Sequence, residues 1–160
     1  MNKSNKRSDC PVSYSLDVFG DKWSLLIIRD MLFNHKCTYG DFLKSDEKIA
    51  TNILAARLQS LEENNIIEKL AHPDSKAKVL YKLTDRGISL LPIIMEIYLW
   101  TDKYFEMPAY IKSQIREAKK DRAGFIKKVI KELKSEKAIP QKNTLLKNAA
   151  SQRPRPHECE

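Results

Sequence analysis

Thr51, Asn52, Ala55, Ala56 and Gln59 recur along residues 50–63 at spacings that place them on one side of a helix. At about 100° per residue, Ala50, Ile53, Leu54, Leu58 and Leu61 gather on the opposite side. The outer face is short, polar and uncharged, where a solvated surface helix usually carries Lys and Glu. Its groups match the edges of base pairs. A side-chain amide can pair with N6 and N7 of adenine, and an alanine or threonine methyl can touch the thymine methyl. The N-terminal part of a reading helix is the part that enters the major groove. That puts Thr51, Asn52, Ala55 and Ala56 first, with Gln59 next. The competing reading is a surface helix that carries small residues and has no binding role. Arg57 falls on the apolar side, between Ile53 and Leu61. Its stem is expected to pack on the core while its head reaches a carboxylate or a carbonyl.

The surrounding chain would have to position this helix. Asn64-Asn65 ends it, because Asn tolerates the left-handed conformation that closes many helices. A strand is expected from Ile66-Ile67 to about Ala71, and His72-Pro73-Asp74-Ser75-Lys76 is a turn cluster. Val79, Tyr81 and Leu83 then alternate with Leu80 and Lys82, the period of a half-buried strand. Lys76 and Lys78 stand at the tip beside His72, and Lys48 stands in the turn before the helix. These three lysines are the candidates for phosphate contact. An ordinary solvated hairpin is the other reading of the loop. From Tyr39 to Leu83 the order is helix, turn, long helix, then a polar loop between two short strands. This is the outline of a winged helix-turn-helix, a mainly α fold with a small β wing.

The remaining elements read as scaffold. Met1 to Asp9 is expected to be mobile. Cys10-Pro11 opens a first helix, since Pro is favoured at the first helical position, and Gly20 breaks it. Asp21 is an N-cap for a densely apolar helix from Lys22 to Leu32. A short strand near Cys37 and a positioning helix from Asp41 to Ser45 follow. Thr84 should cap one helix running through Trp100, with Pro92 kinking its first turns. That helix is apolar on more than one side, so more than its own domain must cover it. A homodimer through the flanking helices would do so, with Leu16, Leu91, Ile94, Tyr98 and Trp100 at the interface. Residues 10–106 thus form the winged-helix domain. Residues 107–137 read as a single basic amphipathic helix, suited to a membrane, an acidic partner or DNA phosphates, or simply packed with a solvated back. Residues 138–160 read as a disordered tail.

The net charge of +8 is unevenly placed. Residues 1–108 hold 15 basic and 15 acidic side chains, whereas residues 109–160 hold 14 basic and 6 acidic ones. DNA binding by the domain therefore has to rest on particular Lys and Arg meeting phosphates, not on overall basicity. No apolar run is long enough to span a membrane, and no signal-peptide pattern is present, so a cytoplasmic location is expected. Three cysteines, Cys10, Cys37 and Cys159, are too few and scattered for a disulfide scaffold. No phosphate loop, nucleophile elbow or metal-ligand spacing occurs, so neither an enzyme nor a cofactor nor a metal is expected. Cys10 alone has a reactive setting. It stands at a helix N-terminus, where backbone N–H groups favour thiolate, with Lys6 and Arg7 nearby.

Taken together, the chain resembles the HxlR-type winged-helix regulators, a branch near the MarR-like repressors. The matching residues are Cys10-Pro11, Gly20-Asp21-Lys22-Trp23, Leu25-Leu26-Ile27, Tyr39, Phe42 and Ile49. They continue through Leu54, Arg57-Leu58, Leu61-Glu62, Tyr81-Lys82-Leu83-Thr84, Gly87 and Trp100. Asn65 stands where the family usually has Gly, Ala50 and Ala55 where small hydroxyl residues are common, and the chain extends well beyond the usual end. The resemblance implies a dimeric regulator of double-stranded DNA on a pseudo-palindromic operator. It also implies an effector, either a small molecule or a thiol-reactive species sensed by a cysteine matching Cys10, with oxidation to a sulfenic acid or a disulfide to a thiol such as Cys37 of the other subunit. Two other classes stay open: a non-specific or architectural nucleic-acid binder working through the basic extension, and a winged helix that binds protein.

Overall fold

The computed structural model describes residues 9–72 and 75–135, with backbone only at 75–77. The N-terminus expected to be mobile lies outside the described residues apart from Asp9, as do Pro73, Asp74, the Lys76 side chain and the tail 138–160. The order is α1 (Pro11–Phe19), α2 (Ser24–Phe33), α3 (Tyr39–Leu43), α4 (Thr51–Glu63), β1 (Ile67–His72), β2 (Ser75–Leu83), α5 (Asp85–Ile88), α6 (Leu91–Tyr104), α7 (Ala109–Lys120) and α8 (Arg122–Lys134). The winged helix-turn-helix is present: α3 and α4 are the helix pair, and β1 and β2 form a two-stranded antiparallel wing.

Local chemistry explains the boundaries. Pro11 opens α1 at a position whose N–H would be unpaired in any case. Asp21 caps α2, its Oδ1 accepting from the N–H groups of Trp23 at 2.8 Å and Ser24 at 3.0 Å. The positioning helix begins two residues before its expected start, because Thr38 and Asp41 form a reciprocal capping box. The strand expected near Cys37 is a single antiparallel bridge, Thr38 to Leu80, beside a 2.7 Å bond from the Tyr81 N–H to the Cys37 carbonyl. Asn65 does adopt the left-handed conformation, with φ of 55°.

Two expected helices are each divided. Thr84 caps only the short α5, accepting from the Gly87 N–H at 3.1 Å. Pro92 then lies in the first turn of a new helix, α6, where it starts the helix and does not kink it. The single helix expected over 107–137 is a hairpin of α7 and α8. Asp121 leaves helical geometry with φ −148° and ψ 87°, and its side chain caps α8 through the Gly124 N–H at 2.9 Å. Gly124 is thus part of a cap, and a Cβ there would come within 2.1 Å of the Asp121 carboxylate.

The base of the wing is closed by Thr84. Its N–H donates to the Ile66 carbonyl at 3.0 Å and its hydroxyl to the Asn65 carbonyl at 2.7 Å. The chain therefore leaves α4 and returns from β2 at the same point. The expected strict alternation in β2 is not seen. Leu80 and Leu83 are buried, while Val79 is exposed. One core unites α2, α4, the wing base and α6, with Ile28, Leu32, Leu54, Leu58, Leu61, Leu91 and Met95 at its centre. Each buried aliphatic chain of this kind contributes roughly 1.5–3 kcal/mol. Ala118, Phe125 and Val129 of the hairpin belong to the same core.

A polar cluster fixes the entry to α4. Asp30, only 2% exposed, accepts from Arg29 at 2.7 Å, Asn34 at 2.8 Å, Lys36 at 2.7 Å and Ser45 at 2.6 Å. Arg29 also reaches Glu47 at 2.6 Å. Burial alone would raise the Asp30 carboxyl; donation by Lys36, Ser45 and Arg29 outweighs it and holds the pKa below the usual carboxylate range. A depressed folded-state pKa adds stability that is present above the unfolded value and lost as pH falls through the folded one. Asp30→Ala should therefore cost about 3 kcal/mol, because it strands the partly buried Arg29 and Lys36 charges without their shared carboxylate. Urea unfolding checks this. With Asp30→Asn, the loss of stability below about pH 4 should be shallower than in the unsubstituted chain.

Candidate nucleic-acid interface

The α4 helix turns Leu54, Leu58 and Leu61 inward and leaves Thr51, Asn52, Ala55, Ala56 and Gln59 exposed on one face. Ile53, expected on the buried side, is 37% exposed, so the buried stripe is narrower than its hydropathy suggests. Ala50 provides no side-chain cap, and the first-turn N–H groups are thereby left to an outside acceptor. Gln59 donates to Glu63 at 2.9 Å, an exposed bond that occupies one of its two amide hydrogens.

Two contacts set the position of this face. The Tyr39 hydroxyl donates to the Thr51 carbonyl at 2.7 Å, joining the start of α3 to the start of α4. Arg57 extends to Asp21 Oδ2 at 3.3 Å, joining α4 to the start of α2. The Arg57 head thus reaches the carboxylate that also caps α2. Burial alone would raise the Asp21 pKa, but bonds from Ser24, the Trp23 and Ser24 N–H groups and Arg57 hold it below the ordinary range.

Of the candidate phosphate contacts, Lys48 and Lys78 are described and both are exposed. Lys48 is exposed and left-handed, with φ of 52°. Such a conformation costs a side-chain-bearing residue about 1 kcal/mol. Its N–H bond to the Ser45 carbonyl at 3.0 Å ties it to the turn held by Asp30. Lys78 is exposed on β2.

The cysteines differ sharply. Cys10 is exposed at the N-cap of α1. Cys37 is buried, and that burial, aided by Asp41, pushes its thiol up to about 11. Cys37 is thus a packed residue beside the helix-turn-helix entry and not the disulfide partner that the family resemblance allows, since a buried thiol held protonated is a poor nucleophile.

The expected dimer face also needs correction. Leu91 is 0% exposed and Ile94 3% exposed within the chain's own core, so neither offers surface to a second copy. Tyr98 is half-buried and stacks on Phe33 with ring centroids 5.4 Å apart. Leu16 and Trp100 are exposed, as expected. Val12 on α1, and Ile93, Ile97 and Tyr104 on α6, are exposed as well; Val12, Ile93 and Ile97 were legible as apolar helix positions but not singled out for the interface, and Tyr104 was missed. The spacing 93, 97, 100, 104 was the available signal, because its steps of four, three and four residues repeat once per helical turn.

No helix among the described residues is long and apolar enough to cross a membrane. The profile described as HxlR-like helix-turn-helix matches residues 18–109. The HTH-type transcriptional regulator YodB of Bacillus subtilis is 31% identical over 98 residues, 61% of this chain and 87% of that protein. Among solved structures, the candidate transcription factor PA1607 matches with a TM-score of 0.58 at 42% identity, covering 66% of this chain and 72% of that one. The redox regulator HypR in its oxidized form matches with a TM-score of 0.55 at 28% identity, covering 61% of this chain and 100% of that one. With its α3–α4 helix pair and β wing, the chain belongs to the HxlR-like helix-turn-helix family of transcriptional regulators, not to a family of enzymes.

Proposed function

We propose that the protein is a homodimeric regulator that reads a pseudo-palindromic operator through α4. The carrying observation is the exposed, small, uncharged face of α4, clamped at Tyr39 and Arg57. Asn52 and Gln59 supply amides for adenine edges, and Thr51, Ala55 and Ala56 allow close approach and touch thymine methyls. Lys48, Lys76 and Lys78 meet phosphates and fix the register. The second copy covers the α6 stripe of Ile93, Ile97, Trp100 and Tyr104 together with Val12 and Leu16 of α1, all exposed apolar side chains.

Regulation would act through the spacing of the two readers. An effector shifts that spacing only by its differential affinity for two dimer states. Cys10 is the candidate sensor, since it is exposed at the start of the helix that carries Val12 and Leu16. The similarity to HypR, a redox regulator, supports this reading. Addition of its thiolate to a quinone would form a thioether at the edge of the proposed dimer face.

Selection of bound sites from random duplex DNA at about 150 mM salt tests the proposal. A two-fold symmetric motif is expected, with half-sites about one helical turn apart, roughly 34–36 Å. Asn52→Ala should weaken binding by about 1–3 kcal/mol and relax specificity at one position. Absence of any enriched motif, with binding lost when residues 109–160 are removed, would favour an architectural binder; a protein ligand and no DNA binding would favour the protein-interaction class. Trp100→Glu should give a monomer by light scattering and weaken operator binding. Alkylation at pH 8, read by peptide mass, should label Cys10 at least roughly tenfold faster than Cys37, whose thiolate is scarce. Quinone treatment should release the operator from the unsubstituted chain but not from Cys10→Ser.

A further inference from the structure

The α7–α8 hairpin lies almost wholly beyond the family match, which ends at residue 109. It is nonetheless built into the domain. Ile115, Ala118, Phe125 and Val129 are buried, and Ile126, Ile130 and Leu133 pack against the main core. Ion pairs tie it down: Lys119 to Asp102 at 2.7 Å, Arg122 to Glu96 at 2.5 Å, Lys134 to Asp85 at 2.7 Å and Lys128 to Glu117 at 2.7 Å, with Lys112 paired to Glu106. Arg116, Lys120, Lys127 and Lys131 form no ion pair among the described residues, and all four are exposed. Arg116 and Lys120 stand one turn apart on α7, and Lys127 and Lys131 one turn apart on α8. On both helices they point away from the buried stripe.

Three classes of partner suit a basic helical face: a membrane, an acidic protein or a nucleic acid. A membrane-seated helix needs exposed apolar side chains beside its cations, and a protein interface needs an apolar or aromatic anchor. Beyond Tyr110, no large hydrophobic side chain of α7 or α8 is exposed. Charge without an anchor fits a polyanion. The face also connects to the wing. The last turn of α8 is docked on Asp85, two residues past the end of β2, and Leu133 lines a shallow cleft with Tyr81, Lys82 and Leu83. The two rows of cations therefore run out from the wing base on a firmly packed support.

We propose that Arg116, Lys120, Lys127 and Lys131 form a second DNA surface that binds phosphates of the duplex flanking the operator. The proposal rests on the operator-reading assignment for α4. It gives the reader a sequence-independent contribution that lengthens its footprint.

The test uses the full chain and the R116Q/K120Q/K127Q/K131Q variant on two duplexes. One holds only the selected site, and the other adds about ten base pairs of arbitrary sequence on each side. The unsubstituted chain should bind the longer duplex roughly tenfold more tightly, with a steeper salt dependence, because each cation engaged adds about 0.9 to the slope of log K against log salt. The variant should bind both duplexes alike, with unchanged affinity for the short one. Flank-independent binding by the unsubstituted chain, retained flank dependence in the variant, or an equal loss on both duplexes would each overturn the flanking surface while leaving the α4 reading intact. Failure of the unsubstituted chain to bind either duplex would overturn both.

Discussion

Asp30 gives up its hydration at the end of α2, and Arg29, Asn34, Lys36 and Ser45 replace the water it loses. Removing a carboxylate from water is unfavourable by several kcal/mol unless donors saturate it, so the arrangement has little freedom. Ser45 and, through Arg29, Glu47 belong to the turn that leads into α4. The start of the reading helix is thereby referred to α2, the most buried helix of the domain. Tyr39 and Arg57 add two further restraints, both within the same few turns of chain. On the proposed operator-reading role, the exposed face of α4 has to be held to a fraction of an ångström. The polar cluster achieves this where a purely apolar contact, which is non-directional, would not.

The apolar residues of α6 divide between two tasks. Leu91, Ile94 and Met95 complete the domain core, while Ile93, Ile97, Trp100 and Tyr104 face outward. The division follows from the short α5, which turns the chain before α6 begins and so sets which side of α6 meets α2 and α4. The hairpin of α7 and α8 then covers core surface with Ala118, Phe125 and Val129. Apolar excess in this region is thus covered inside the chain on one side of α6 and left exposed on the other.

Elements whose boundaries depend on local chemistry were legible in the sequence: the Pro11 start, the Asp21 and Thr84 caps, the Asn65 turn and the outward face of α4. What depends on tertiary contact was not. Leu91 and Ile94 could be placed on a helix but not assigned to core or partner, because periodicity reports a face and not what covers it. The split at Asp121 was hidden because it depends on the space left by the missing Cβ of Gly124, which lets Asp121 cap the second helix. The capping box of Thr38 and Asp41 was readable in principle, as a Thr followed three residues later by an acid, and was passed over for a later start.

Thr84 joins the exit of α4 to the return of β2 by two bonds to adjacent carbonyls. The wing is consequently a closed loop stapled at its neck. Changes in the length of the hairpin beyond that neck stay within it, since enlarging a closed loop adds only about 0.6 kcal/mol per doubling. Descendants of this chain are thus free to lengthen, shorten or recharge the wing while α4 keeps its orientation.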